Sequence, residues 1–296
     1  MMRDPLVAFS EAIADAGMVP PTEIVDDGRI HRFSTTGKRS DDAGWYVIHL
    51  DGIAAGSFGC WRSGESQTWC AKADREMSAA ERGAQAKRVD EMRRQRDTEQ
   101  RQRHAEAAGA SAIRWATAGP AEHHPYLVAK MVGACGARVE GAHTLLIPMR
   151  DTAGNLHSLQ SIAPDGTKRF MPGGKVKGCY HSIGRPSGKL VICEGFATGA
   201  TINGDTGHAV AVAFNAGNLL PVAQALRAKY PCLTLVICAD DDWKTEGNPG
   251  LTAATEAARS VGGLLAVPDF SGLRRGDKDT DFNDLHRLAG VVGVSA

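Results

Sequence analysis

The residues best placed to do chemistry are carboxylates, and they fall at three points in the last third of the chain. Glu194 follows the apolar run Leu190-Val191-Ile192-Cys193, Asp240-Asp241-Asp242 follows the run from Leu233 to Ala239, and Asp279-Thr280-Asp281-Phe282-Asn283-Asp284 lies downstream. Short apolar runs of this kind read as strands buried on both faces. In open parallel sheets, ligands bind beyond the carboxyl ends of the strands, so the three acidic groups share one edge. Several carboxylates in a small volume are unstable unless protons or cations neutralise them. Oxygen-only donors select a hard ion, Mg²⁺ or Mn²⁺, which keeps some waters and meets phosphates. Alternate residues of an extended chain face the same way, so Asp240 and Asp242 can act together while Asp241 points aside. The plain alternative makes each acid an ordinary helix cap or turn residue. It suits any one cluster better than it suits three at successive strand ends.

The elements needed to position these acids follow from the pattern around them. From residue 188 the chain alternates strand and helix: strands at 190–193, 209–214, 233–239 and 264–267, with helical stretches at 197–202, 219–229, 252–261 and 283–288. The fold class is α/β. The C-terminal domain, 188–290, is expected to hold about four parallel strands flanked by helices. Residues 111–187 read as an α+β region: a short helix opening at Pro125, strands at 144–150 and 156–162, and turns at 151–155 and 164–166. Lys168, Arg169, Lys175 and Lys177 then surround Gly173-Gly174 in a basic loop. Such a loop could hold a triphosphate or a nucleic-acid backbone, or each lysine could simply mark a surface turn. Asn215 and Asn218 flank the end of the second strand and could face the same cleft, with helix capping as the other role for Asn218.

Residues 73–110 are rich in both charge signs and in helix formers, so a charged helical linker is expected. Its Arg93, Arg94, Arg96, Arg101 and Arg103 could meet phosphate, or could belong to a solvated face. Residues 1–72 hold short aromatic and β-branched runs between Gly and Asp, which reads as a small β-rich module.

Composition narrows the class. The chain has 296 residues, 43% hydrophobic and 23% charged, with 34 Lys and Arg balancing 34 Asp and Glu. That is ordinary for a globular protein and neither predicts nor excludes a nucleic-acid partner. No apolar run reaches the roughly 18–20 residues of a membrane span. The start, Met1-Met2-Arg3-Asp4-Pro5, lacks the pattern of a signal peptide, so a cytoplasmic location is the expectation. The seven cysteines include no C-x-x-C pair, so neither a disulfide framework nor a zinc ribbon is expected. His123 and His124 are adjacent and project differently, which suggests a surface role. The stretch Gly184-Arg185-Pro186-Ser187-Gly188-Lys189 is one residue short of a P-loop and precedes a strand instead of following one.

A Glu-Gly closing the first strand, a D-x-D closing the third and an acidic group downstream together resemble the Toprim domain over 188–290. Upstream, "HPYLVAKMV", "LLIPMRD", "LQSIAPDGTKRFMPGGKVKGCYHSIG" and, within the sheet, "AFNAGNL" are similar to the Toprim-containing primase-type proteins of plasmids, integrative elements and phages, the DnaG-like superfamily. The likeness runs over about residues 20–290. It implies a DNA primase, a nucleotidyltransferase making short RNA primers on a single-stranded DNA template from ribonucleoside triphosphates, with a replicative helicase as a possible partner. It implies Mg²⁺ or Mn²⁺ held by Glu194, Asp240, Asp242 and Asp281, with Asp279 and Asp284 as alternates. Glu194 would be general base or ligand. The family departure is the missing zinc-ribbon spacing. Two rival classes remain: a Toprim nuclease or repair enzyme, which would use the same acids, and a non-catalytic DNA-binding replication accessory, which would keep DNA binding after Asp240→Ala. Elemental analysis of the purified chain is expected to find no stoichiometric zinc; one zinc per chain would overturn the reading of the N-terminal module.

Overall fold

The computed structural model describes residues 4–39, 41–73 and 77–290. The chain divides into two compact units, Met1–Gln102 and Arg103–Ala296. Met1 to Arg3, which enter the reading of the N-terminus, lie outside the described residues.

The first unit opens with α1 (Pro5–Asp15), whose cap Asp4 accepts the Leu6 N–H and whose first position is proline. Strands β1 (His31–Phe33), β2 (Gly44–His49), β3 (Ala55–Cys60) and β4 (Ser66–Cys70) pair in order as an antiparallel meander. Successive residues of β2 take opposite faces. Tyr46 and Ile48 meet Phe9 and Ile13 of α1, while Trp45 and Val47 meet Met92. Met92 belongs to α2 (Ala79–Thr117), which therefore covers the second face of the sheet.

This departs from a solvated linker at 73–110. Met92 is 1% exposed, Val89 lies against the same cluster, and Arg88 donates to the carbonyls of Asp51 and Ile53 and to the Asp51 carboxylate. Two apolar side chains in a charged sequence make too thin a stripe to be read by periodicity, yet they suffice to close a small sheet.

In the second unit, the last turns of α2 are fastened by an Arg114–Glu140 fork and by Arg138, which lies 4.5 Å from the Trp115 ring centroid and donates to the Trp115 carbonyl. Strands β5 (Gly119–Pro120), β6 (Arg138–Glu140), β7 (Thr144–Arg150), β8 (Leu156–Ile162) and β9 (Lys168–Phe170) form a second antiparallel meander, with α3 (Pro125–Lys130) between the first two. Pro148 sits within β7 because β6 pairs with it only as far as Leu146, so no ladder bond is needed from a nitrogen that has no hydrogen. His124 is not on the surface: it is 3% exposed, its Nδ1 accepts the Tyr126 N–H at the start of α3, and its Nε2 reaches the His143 carbonyl at 3.0 Å.

The third sheet carries the acids. It comprises β10 (His181–Ile183), β11 (Lys189–Cys193), β12 (Ala209–Val212), β13 (Thr234–Cys238) and β14 (Leu264–Ala266), in the order β10-β12-β11-β13-β14. The last four are parallel, as expected; β10 adds an antiparallel edge strand drawn from the 111–187 region. Three residues are too short a signal to read. Burial holds the strand, and its His181 reaches the Cys135 carbonyl at 2.8 Å, with its pKa pushed down to about 4 by that burial.

Helices α4 (Phe196–Thr206) and α7 (Phe282–Ala289) cover one face, packing on Val191, Cys193, Val210 and Val212. Helices α5 (Leu219–Lys229) and α6 (Pro249–Val261) cover the other, packing on Leu190, Ile192, Leu235 and Ile237. Gly199 lets α4 lie close on the sheet: a Cβ there would stand 2.7 Å from Val212 Cγ2. Among the described residues no helix is long and apolar enough to cross a membrane. Met92→Ala is expected to cost about 2–4 kcal/mol in urea unfolding of the full chain followed by tryptophan fluorescence. The exposed neighbour Arg93→Ala should stay within about 0.5 kcal/mol, and equal losses would refute the packing of α2.

Candidate active site

The chain leaves β11 toward α4 on one face and leaves β13 toward α6 on the other. Neighbouring strands whose connections diverge in this way open a crevice at their carboxyl ends. Glu194 follows β11 and Asp240 follows β13, so both stand at that crevice. The third group is brought in by α7. Asp281 caps this helix by accepting the Asp284 N–H at 2.9 Å, and its other oxygen accepts the Thr198 hydroxyl of α4 at 2.8 Å.

The central triplet splits as alternation requires. Asp241 is turned away: one oxygen accepts from Asn248 Nδ2 at 2.7 Å and the other from Arg275 at 2.7 Å. Asp240 and Asp242 lie within electrostatic reach of Glu194 and of each other. Asp242 Oδ2 accepts the Gly250 N–H at 3.1 Å in the first turn of α6, where the helix dipole favours negative charge. Gly250 is required there, since a Cβ would lie 2.5 Å from the Asp240 carbonyl and 2.9 Å from Asp242 Oδ2.

The electrostatics are those of a crowded acid cluster. Burial, then the charges of Asp242 and Asp281, pushes Glu194 up to about 7, against an N–H contribution from Ala216 and the charge of Lys168. Burial, then Glu194, Asp281 and Asp242, raises Asp240 well above the carboxylate range. Glu194 Oε1 and Asp240 Oδ1 are shut off from solvent without a hydrogen-bond partner. Buried oxygens in that state are costly. Among the described residues no three His, Cys, Asp or Glu groups are drawn close enough to enclose a cation as they stand. The donor set nevertheless fits one: two orphaned carboxylate oxygens beside Asp242 and Asp281 are hard, anionic and mutually repelling, and a divalent cation relieves all three conditions.

The basic residues separate. Lys168 leads from β9 to the acids. The residue is exposed, its ammonium lies within electrostatic reach of Asp281, Asp240 and Glu194, and desolvation pulls it below the usual lysine range. Arg169, next along the strand, acts instead on Asp165. Lys175 lies beside His104 and Cys179, and Lys177 is exposed in the same loop. Asn215 precedes a 3₁₀ turn, 216–218, at the end of β12 and makes no side-chain cap bond. Asn218 is 3% exposed and caps nothing: its oxygen accepts the Gly178 N–H, and its amide donates to the carbonyls of Cys179 and Ala213. That spends its hydrogen-bonding capacity on pinning the basic loop to the end of β12. Asp279 accepts from Gly276 N–H and Arg287, and Asp284 from Thr280 N–H and Arg287, with Lys130 3.8 Å away. Both are thus bound into the scaffold beside Asp281.

Sequence reasoning missed three residues. Arg275 ties Asp241 and the Asp279 carbonyl together. Lys130 carries a second positive charge to this edge. Phe214 holds φ at 74°, a strained conformation for a bulky residue, while its N–H donates to the Glu194 carbonyl at 2.8 Å. Only the fold brings these together; the lone visible signal was Arg275 within a basic pair upstream of the last acids.

Residues 189–291 match the Toprim domain. Over 278 residues the chain is 37% identical to a DNA primase TraC of Escherichia coli, covering 89% of this chain and 26% of that protein. A second Escherichia coli DNA primase TraC is 36% identical over 286 residues, covering 90% of this chain and 20% of that protein. The chain therefore spans about a quarter and a fifth of these relatives. Among solved structures, the primase fragment of the bacteriophage T7 primase-helicase protein aligns with a TM-score of 0.41 at 17% identity, over 58% of this chain and 75% of that one.

The raised Glu194 fixes a pH dependence for the metal-free protein. Between the ordinary 4.5 and about 7, the folded state holds a proton that the unfolded chain has released. Stability from this group is full below about 4.5 and is lost as pH rises through about 7. Glu194→Gln is expected to raise urea-unfolding stability by about 2–3 kcal/mol at pH 8 and to leave it unchanged near pH 4.5; a constant difference across that range would refute the burial of the charge.

Proposed function

We propose that this chain, with its Toprim domain at 189–291, is the nucleotidyl-transferring core of a DNA primase. It would make short RNA primers on single-stranded DNA from ribonucleoside triphosphates, in the cytoplasmic replication of a plasmid or phage-type element, beside a replicative helicase. The supporting observation is that Glu194, Asp240, Asp242 and Asp281 act on one another electrostatically beyond one sheet edge, with one oxygen each of Glu194 and Asp240 unpartnered and the Lys168 ammonium within reach of Glu194, Asp240 and Asp281. An acidic edge with a cation within electrostatic reach suits a metal-bound triphosphate better than a bare anion.

Mg²⁺ or Mn²⁺ held by Glu194, Asp240, Asp242 and Asp281 would stabilise charge on the attacking and leaving oxygens of an in-line displacement at the α-phosphate. Lys168 binds the phosphates as a point charge and, with Lys130, offsets the cluster when it is occupied. Where Glu194 is left free of the metal, its carboxylate is suited instead to take the proton of the attacking 3′-hydroxyl. The 3′-oxygen then bonds to the α-phosphorus as the bond to pyrophosphate breaks. Arg169, Lys175 and Lys177 would meet the template backbone, and Asn215 would face the incoming nucleotide. Arg287 joins Asp279 to Asp284, whose backbone N–H donates to Asp281.

Primer synthesis tests the reading: the chain, single-stranded DNA, labelled ribonucleoside triphosphates and Mg²⁺ or Mn²⁺. Short RNA is expected from wild type and none from Asp242→Asn, which should keep the wild-type circular dichroism and melting curve. Lys168→Ala is expected to raise KM for the triphosphate about 10–100-fold. Degraded DNA with no RNA would move the same acids to a nuclease, and normal turnover by Asp242→Asn would refute the metal assignment.

A further inference from the structure

Trp243 follows Asp242 directly and is 42% exposed, although tryptophan is the side chain with most to gain from burial. Its exposure is not looseness. The Trp243 backbone N–H donates to the Asp241 carbonyl at 2.8 Å, and the ring packs on Arg275, whose guanidinium carbon lies 4.9 Å from the Trp243 centroid and 4.2 Å from that of Phe270. Arg275 is itself fixed by the Asp241 carboxylate at 2.7 Å and by the carbonyls of Asp241 and Asp279 at 2.8 Å each. Phe270 is buried at 8% exposure. A ladder of Phe270, Arg275 and Trp243 thus runs from the interior to solvent and ends on an indole, one residue from the acid cluster. Lys244 completes the feature. Its ammonium lies 4.3 Å from the Trp243 centroid and 3.4 Å from Asp277, and both partners of that pair are more than half exposed.

We propose that Trp243 is a stacking platform for a nucleobase entering the acidic edge, with Lys244 transferring to the phosphate of the same nucleotide. The inference rests on the primase reading and adds to it the residue that would seat a base. Every base has a π face, so a platform of this kind is tolerant of sequence, and it is strengthened by a cation beside it. The rigid Arg275 support means little order is lost when a base settles, and an ammonium exchanging an exposed carboxylate for a phosphate gives up little. The base could belong to the template strand or to an incoming nucleotide.

Binding of the full chain, measured without metal by fluorescence anisotropy, tests this with three probes: a labelled single-stranded oligodeoxynucleotide, the same strand made abasic, and a labelled ATP. Trp243→Ala is expected to weaken binding of the base-bearing strand or of ATP by about tenfold, and Trp243→Phe to stay within about threefold of wild type. The abasic strand should not distinguish Trp243→Ala from wild type. The probe that loses affinity identifies the source of the base. Equal binding of both base-bearing probes by wild type and Trp243→Ala would overturn the proposal. So would an equal loss on the abasic strand, which would mean that Trp243 acts only by holding Arg275 and Asp241. The two readings fail separately. Primer synthesis with unaltered Trp243→Ala binding removes the platform alone, whereas a base-dependent Trp243 effect in a chain that makes no primer removes the primase reading alone.

Discussion

Repulsion among carboxylates gathered at the carboxyl edge of one parallel sheet is the constraint to which the rest of the second unit answers. Glu194 and Asp240 are delivered by neighbouring strands buried on both faces, so neither can retreat into solvent without unmaking the sheet. Their orphaned oxygens carry a desolvation penalty that no protein hydrogen bond offsets. The free protein meets this by retaining protons, which is why both acids are displaced upward. A cation can replace those protons because it supplies the missing contacts and the missing charge at once. The site is destabilising in isolation for the same reason that it is receptive.

The surrounding residues act by deciding which acids join the cluster. Arg275 and Asn248 draw Asp241 aside, so that three consecutive aspartates contribute two charges rather than three. Arg287 engages Asp279 and Asp284, leaving Asp281 as the member of that group aimed at Glu194 and Asp240. Gly250 lets the start of α6 approach closely enough to place its dipole on Asp242. Each device lowers the number or the effective charge of the carboxylates left facing one another.

What was legible in the sequence follows from what is local. Acids at the ends of apolar runs, the alternation within Asp240-Asp241-Asp242 and the strand–helix rhythm after residue 188 are all properties of neighbouring residues, and a period of two carries them directly. The antiparallel β10 was not legible, because three residues held by burial and by His181 leave no pattern. Nor was the packing of α2, where Val89 and Met92 alone among charges do the work. Asn218 and His124 misled for a related reason. An asparagine before a helix and a pair of histidines both suggest surface roles, whereas their partners, Gly178 and Cys179 for one and the His143 carbonyl for the other, lie tens of residues away. Arg275 and Lys130 belong to the same class of long-range partner.

One apolar core joins the residues before 188 to the acid-bearing sheet. Leu145, Ile147, Met149 and Ile162 of the meander share one apolar cluster with Val191, Cys193 and Phe196 of the acid-bearing sheet and with Phe282 and Leu285 of α7. Asn283 of α7 reinforces the union by donating to the Lys130 carbonyl and to Thr201 of α4. That core holds Ile162 of β8, the register partner of Lys168, so the exposed strand β9 carries Lys168 within electrostatic reach of Asp281, Asp240 and Glu194. The Toprim segment alone would therefore carry the acids without the cation that faces them, and without the edge strand β10 that completes its sheet. Acid cluster and lysine are parts of one folding unit. The buried core thus extends upstream of residue 189, where the match to the Toprim domain begins.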